Sequence, residues 1–599
     1  MVGSLDIHTL QAAYAAGRLS PGDVVAAIHE RIAARGADGV WITLIPREAA
    51  MARVAALLQG PRDLPLWGIP FAVKDNIDVA GLPTTAACPA FAYTPEASAT
   101  VVERLLAAGA ILIGKTNLDQ FATGLVGVRS PYGVAVNPFN ADYVPGGSSS
   151  GSAVAVSAGL ASFALGTDTA GSGRVPAGFN NIVGLKPSIG LISATGMVPA
   201  CRSLDCVSVF ANTVADSMAV LQVAADPDMQ DGYSRVAPAG WKATVAPAPP
   251  AFRFGLPRPD QLKFFGNAAA RALFAEAVAR LTALGGAMVE IDYAPFAEAA
   301  GFLYQPAGTA ERTVAIGDFL AAHADDMHPV TRAIIQRGHE ASAMDVHRMH
   351  YRLKELRQQT APVWQEIDVM LVPTSGTIYR TDEVLADPVQ LNSNLGYYTN
   401  FVNYFDLAAL SVPSGFQPDG LPAGITLIGP TFAEPQLAAI GQAFHAATGL
   451  TLGAGGYPQP PVRTAAAGPY PQIELMVFGA HLNGEPLNPQ LTALGARLVR
   501  SCRTAADYRL YALAGGVARP GLVRVEEGGA AIEGEIWALS PAAFGVFVAE
   551  IPAPLGIADV RLEDGGLVKG FVCEAAGVDG AAEITDYGGW RAFRRASAA

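Results

Sequence analysis

Charge is scarce in this chain. Only 16% of its 599 residues are Asp, Glu, Lys or Arg, where an ordinary soluble domain carries about 25%. The scarcity does not signal disorder, because 51% of the residues are apolar and a large core can form. What charge there is leans negative: 40 Lys and Arg against 53 Asp and Glu leave a formal net charge of −13. Such a surface repels phosphate backbones and anionic lipid heads, which argues against nucleic-acid and membrane partners. Cysteine is sparse too. The five (Cys88, Cys201, Cys206, Cys502 and Cys573) form no CxxC pair. Such a set fits reduced thiols and indicates no metal site, and no organic cofactor is expected either. The start, MVGSLDIHTLQ, lacks a basic stretch followed by an apolar one, so no signal peptide is read and the cytoplasm is the expected compartment. No charge falls between Tyr143 and Thr167, but Gly, Ser and Ala fill that stretch, and a buried small-residue helix fits it better than a membrane span.

What is present is alternation. Residues 5–35 read as two helices broken at Ser20. From Leu64 to Gly184 short apolar runs (Leu66–Val73, Ala110–Ile113, Ser162–Leu165) alternate with helical patterns such as Ala99–Ala108, which predicts an α/β sheet. Ala269–Leu284 reads as a helix, and Met370–Pro373 and Gly424–Ile428 as strands. Glycine and proline crowd the region around 452–472, which reads as a linker. Beyond it Glu474–Phe478, Tyr508–Ala512, Ala531–Trp537 and Val546–Ile551 read as strands. The expected organisation is a large domain over 1–452, a linker over 453–471 and a small domain over 472–599.

Three Gly-rich signals carry possible chemistry. Gly109-Ala-Ile-Leu-Ile-Gly114-Lys115-Thr116 matches the phosphate-loop pattern. Its middle residues are strand formers, so the reading is Gly109 ending a helix before a core strand. Gly147-Ser-Ser149-Ser-Gly151 matches a nucleophile elbow centred on Ser149. That reading needs a preceding strand, where Pro138 and Pro145 stand, and a His partner; the downstream candidates, His347 and His350 among them, lie in helical or undistinguished settings. The third signal has three parts: Lys74 in Gly68-Ile-Pro-Phe-Ala-Val-Lys74-Asp75-Asn76, Ser148 in Gly146-Gly147-Ser148-Ser149-Ser150-Gly151, and Ser172 in Gly166-Thr-Asp168-Thr169-Ala170-Gly171-Ser172-Gly173-Arg174.

These three elements, in this order, resemble the amidase signature family. The resemblance implies its α/β fold with a central mixed sheet flanked by helices. It also implies a Ser–Ser–Lys triad: Ser172 as nucleophile, Ser148 after a cis peptide as proton relay, and Lys74 as a base kept neutral by burial. The N–H groups of Thr169, Ala170, Gly171 and Ser172 are the implied oxyanion donors. Within the family, the run from Lys115 to Gly133, which contains Gly124, is similar to the allophanate hydrolase branch, as are Ala177–Lys186 and Val198–Cys206. Allophanate is a small anion, and an Arg fork suits its carboxylate. The branch supplies this from a helical segment in which Arg312 follows Tyr304 by eight residues, so Gly124, Tyr304 and Arg312 are the implied substrate contacts. Phe478–Asn488 and Cys502–Tyr511 resemble the extra C-terminal domain of that branch, a small α+β domain likened to γ-glutamyl cyclotransferases. There His481 is the candidate residue for a second, decarboxylating step. The resemblance further implies urea degradation, a homodimer and a functional link to urea carboxylase. The alternatives are an amidase for another small amide and a subunit of an amidotransferase.

Overall fold

Short apolar runs separated by helices bury best as strands covered on both faces. The computed structural model, which describes residues 2–238, 240–461, 472–494, 496–513 and 518–598, shows such a sheet. Its strands are β1 (Trp41–Leu44), β2 (Pro70–Lys74), β3 (Ile111–Thr116), β4 (Phe163–Asp168), β5 (Val183–Lys186), β6 (Cys206–Ala211), β7 (Phe252–Pro257), β8 (Gly286–Ile291), β9 (Val369–Pro373), β10 (Ala408–Phe416) and β11 (Pro422–Gly429). They lie in the order β1-β3-β2-β4-β6-β5-β10-β11-β9-β7-β8. β2 is parallel to β3 and β4, β7 is parallel to β8 and β9, and the other pairs are antiparallel, so the sheet is mixed. Every residue of β2, β3, β4, β5 and β6 is buried.

The charge-free stretch supplies the helix Ser150–Ser157, buried along its whole length. Small residues let it lie against the strands. A Cβ on Gly151 would fall 2.4 Å from the Val40 carbonyl oxygen. Its hydroxyls are absorbed locally: Ser152 Oγ donates to the Leu165 carbonyl at 2.9 Å and shares a 2.7 Å hydrogen bond with Thr116 Oγ1. Among the described residues no helix is long and apolar enough to cross a membrane.

The chain divides into two compact units, the second made of residues 239–241 and 470–599. Residues 462–471 of the expected linker lie outside the described residues. The segment just before them is tied to the first unit, because Asn181 Nδ2 donates to the carbonyls of Thr451 and Gly453 and Ala454 N–H donates to that of Ser157.

The second unit is built on a five-stranded sheet in the order Arg497–Arg503, Glu533–Leu539, Ile473–Val477, Leu567–Cys573, Leu555–Arg561. A three-stranded sheet (Arg519–Arg524, Tyr508–Leu513, Ala582–Glu583) accompanies it. Leu475, Val477, Leu510, Ile536, Trp537 and Trp590 share its core. One expected element is overturned. Val546–Ile551 is not a strand, since most of that run belongs to the helix Pro541–Ala549. Its apolar residues look strand-like, but Ser540 caps the helix by accepting the Ala543 N–H at 3.2 Å, and Pro541 presets its first turn.

Candidate active site

The site begins where parallel strands end together. β2 and β4 are neighbours, with Val73 opposite Leu165, so their last residues share one edge. Lys74 closes β2 and reaches two hydroxyls from there. Its Nζ lies 2.8 Å from Ser148 Oγ and 2.7 Å from Thr167 Oγ1. All three residues are buried. The Gly147–Ser148 peptide is cis. Only glycine fits at 147, because a Cβ there would stand 2.1 Å from Asp119 Oδ2. Burial lowers the Lys74 pKa to about 7; Asp119, Asp205 and Asp168 pull against that shift and Arg312 adds to it.

Ser172 sits on the loop after β4. That loop is pinned by Asp168 and Arg174, both buried: Arg174 Nε and Nη2 meet Asp168 Oδ2 and Oδ1 at 2.9 and 3.0 Å. Burial works to raise the Asp168 carboxyl, but the Arg174 guanidinium and the loop N–H groups hold it below its ordinary value. The same carboxylate corrects one expectation. Gly171 N–H donates to Asp168 Oδ1 at 2.8 Å and is taken, whereas the N–H groups of Thr169, Ala170 and Ser172 have no acceptor among the described residues. Ser172 is 3% exposed, and its hydroxyl makes no hydrogen bond among the described residues.

Of the three implied substrate contacts, Tyr304 packs against this loop, and Arg312 bonds to the residue before Gly124. Arg312 lies in the helix Pro306–His323 and is buried. Its Nη1 donates to Thr123 Oγ1 at 3.0 Å, and its Nε has no partner among the described residues. Thr123 precedes Gly124, whose φ is +152° and whose N–H is free among the described residues. A Cβ on Gly124 would meet Asp119 Oδ2 at 2.6 Å, so a side chain there is excluded. Tyr304 packs with Ala170 of the Ser172 loop, Cys201 and Leu204. The resemblance implied a helical setting for it. Tyr304 stands instead in the turn before Pro306, which starts the next helix.

Several residues that position the site carry no sequence signal of their own. Thr167 holds Lys74. Asp119 accepts the N–H groups of Val126, Gly127 and Arg129 at 3.2, 2.9 and 2.9 Å, so it shapes the turn behind Gly124 and Gly147. Asp205 accepts from Thr169 Oγ1 and from the N–H groups of Ala200 and Cys201; burial raises its pKa. Asp168 and Arg174 do appear in the quoted motif, at a spacing that in retrospect marks a clamp. Thr167→Val is expected to lower kcat about ten- to a hundredfold, since one hydrogen bond to a charged or charging group is worth about 1.5–3 kcal/mol. Thr167→Ser should restore most of the rate, and a valine variant with full activity would leave Lys74 positioned by Ser148 alone.

The competing motifs resolve differently. Lys115 faces no phosphate cradle. It is buried, pairs with Asp75 at 3.1 Å and donates to Thr84 Oγ1 at 2.7 Å. Gly109 follows the helix Thr100–Ala107 with a φ of +94°. Ser149 Oγ donates to the Thr167 carbonyl at 3.2 Å, and among the described residues no histidine hydrogen-bonds to Ser148, Ser149 or Ser172. Burial pushes the thiols of Cys201 and Cys206 up to about 12, so neither is a thiolate nucleophile near neutral pH. In the second unit His481 Nε2 lies 2.8 Å from Gln490 Oε1, and its ring stacks on Phe571 at 5.3 Å. It lines a cavity of about 280 Å³ with Gln490, Arg519, Phe547 and Phe571.

A buried lysine at the end of β2 is hydrogen-bonded to a cis-serine, and a loop serine after β4 stands among N–H groups without acceptors among the described residues. The amidase family profile matches residues 23–438, and the chain belongs to that family. Its second unit matches, over residues 473–595, the family described as the allophanate hydrolase C-terminal domain. The urea amidolyase of Lachancea kluyveri is 44% identical over 93% of this chain, and that of Saccharomyces cerevisiae 42% identical over 93%. The chain spans 31% of the length of those two relatives. The solved Kluyveromyces lactis allophanate hydrolase is 40% identical, with a TM-score of 0.78, over 98% of this chain and 99% of that one. A glutamyl-tRNA(Gln) amidotransferase subunit from Symbiobacterium thermophilum is 37% identical over 74% of this chain and 97% of its own length.

Proposed function

We propose that the protein is an allophanate hydrolase working through Lys74, Ser148 and Ser172. The observation that carries the substrate reading is Arg312. A guanidinium 2% exposed, with no ion-pair partner among the described residues and an unpartnered Nε, is a costly group to bury empty. A substrate carboxylate supplies the missing charge and acceptors. The alternatives weigh less. A neutral-amide enzyme has no use for that cation, and an amidotransferase subunit leaves the second unit without a role.

In the proposed reaction neutral Lys74 takes a proton from Ser148, and Ser148 takes one from Ser172, whose oxygen attacks the carbonyl carbon of the terminal amide. The N–H groups of Thr169, Ala170 and Ser172 hold the developing oxyanion. The proton returns through Ser148 to the leaving nitrogen, ammonia departs, and water hydrolyses the acyl-serine by the same path in reverse. Arg312, Tyr304 and the Gly124 N–H hold the far carboxylate end. Allophanate and water thus give ammonium and N-carboxycarbamate, a dianion. For that product we propose decarboxylation at His481: the carbon–nitrogen bond to one carboxylate breaks, carbon dioxide leaves, and the nitrogen takes a proton from water, leaving carbamate and hydroxide. The cavity around His481 supports this second reading, with Arg519 as a cation and the rings of Phe478, Phe547 and Phe571 to exclude water. We propose the functional link to urea carboxylase on the strength of the amidolyase relatives, and the homodimer on the family resemblance alone.

The test is ammonia release by the purified protein from allophanate, malonamide and glutamine. Release from allophanate well above the other two is expected. A preference for malonamide would move the enzyme to the general amidases, and one for glutamine to the amidotransferases. Arg312→Ala should lower kcat/KM for allophanate about ten- to a hundredfold, because a charge-assisted contact of about 1.5–3 kcal/mol is lost. The effect on malonamide should be small, and equal losses on both substrates would remove the carboxylate role.

A further inference from the structure

Beside the site lies an open cleft of about 720 Å³ whose residues no step above uses. One wall is the face of the helix Ala343–Thr360 that carries His347, His350, Lys354 and Arg357. The opposite wall is the helix of Arg312, with Glu311, and the floor includes Leu204 and Tyr404. Leu204 and Tyr404 pack with Ala170 and Tyr304, so the floor is one layer of side chains from the oxyanion loop.

The distribution of charge on that helix is uneven. On its other face Arg348 pairs with Asp345, and Arg352 with Glu298 and Glu355. On the cleft face Lys354 and Arg357 are exposed and form no ion pair among the described residues. The one carboxylate lining the cleft among the described residues, Glu311, already accepts Ser203 N–H and Oγ–H at 2.6 and 2.7 Å. The cleft therefore presents two free cations and one occupied anion. That matters in a protein whose net charge is −13, because its overall field repels a small anion. At about 0.1 M salt charges act over only about 10 Å, so local cations outweigh distant carboxylates.

We infer that Lys354 and Arg357, on a cleft one layer of side chains from the oxyanion loop, attract anionic amides to this side of the protein and so raise their concentration at the site. The inference rests on the proposed anionic substrate and adds a specificity device outside the reacting centre. It separates attraction at the cleft from recognition at Arg312: the cleft cations raise the encounter rate for any small anion, and Arg312 orients one carboxylate.

The test is the double variant Lys354→Glu with Arg357→Glu in the full chain, assayed on allophanate, on malonamate (an anionic amide) and on neutral malonamide. At low ionic strength kcat/KM for the anions should fall about tenfold with kcat unchanged, and the deficit should vanish at high salt. Malonamide should be unaffected, which also shows that the variant is folded. The milder pair Lys354→Gln with Arg357→Gln should give a smaller loss of the same kind. Unchanged kcat/KM on the anions, or equal losses on malonamide, would overturn the inference. If the wild type ignores allophanate but hydrolyses malonamate, the proposed substrate fails while malonamate still decides the steering. If it hydrolyses neither anion, both readings fall.

Discussion

Ser172→Ala is expected to lower ammonia release from allophanate by about 10⁴-fold or more, the usual cost of removing a covalent nucleophile. That corresponds to about 5.5 kcal/mol of lost transition-state stabilisation. The methyl group removes the attacking oxygen and nothing else. The Ser172 hydroxyl makes no hydrogen bond among the described residues, and its loop is held by the Asp168–Arg174 pair. The thermal midpoint should therefore stay within about 2 °C of wild type, since little buried polarity is left unpaired. The measurement is single-turnover ammonia release beside a melting curve. Activity within tenfold of wild type would exclude Ser172 as the nucleophile, whereas a collapsed melting curve would assign it a structural part.

Lys74→Met should cost nearly as much, about 10³- to 10⁴-fold, because it removes the base and keeps the shape of the side chain. The pH profile makes the stronger claim. Burial lowers the Lys74 pKa from 10.5 to about 7. Only the neutral amine accepts a proton, so kcat/KM should be flat above about 7 and fall as pH drops below it. The expected slope is one decade per pH unit, so pH 6 should retain about a tenth of the plateau. A limb near 10 instead would mean an ordinary charged lysine and would end its role as base. Joining Lys74→Met to Ser172→Ala should add almost nothing to either loss, because groups that act as one relay fail as one.

Much of this was legible before any coordinates. β2, β3, β4, β9 and β11 fall where apolar runs between turn residues predict strands, within a few residues. The helix Ala268–Ala283 falls where Ala269–Leu284 is expected. Runs with flanking glycine and proline are read well because the signal is local. Val546–Ile551 fails for the converse reason: a short apolar run suits a strand or a buried helix equally, and the cap at Ser540 settles it. Tyr304 shows the same limit, since Pro306 starts a new helix one residue after Gln305 and turns the implied helix into a bend.

The sequence by itself determined which chemistry was available. Lys74, Ser148 and Ser172 with their flanks resemble the amidase signature, and it is that resemblance, not the Tyr304–Arg312 spacing alone, that implies amide cleavage and a carboxylate contact. Only the tertiary structure decided how those groups are tuned. That Lys74 has Thr167 as its second partner follows from β2 and β4 being parallel neighbours across 93 positions of chain. That Asp168 takes the Gly171 N–H, that Arg312 is buried without a counter-ion among the described residues, and that the cations of one helix face an open cleft are likewise facts of distance and burial. A pKa, a free donor and an unpaired charge depend on what lies within a few ångströms, and residues far apart in the chain supply most of that surrounding.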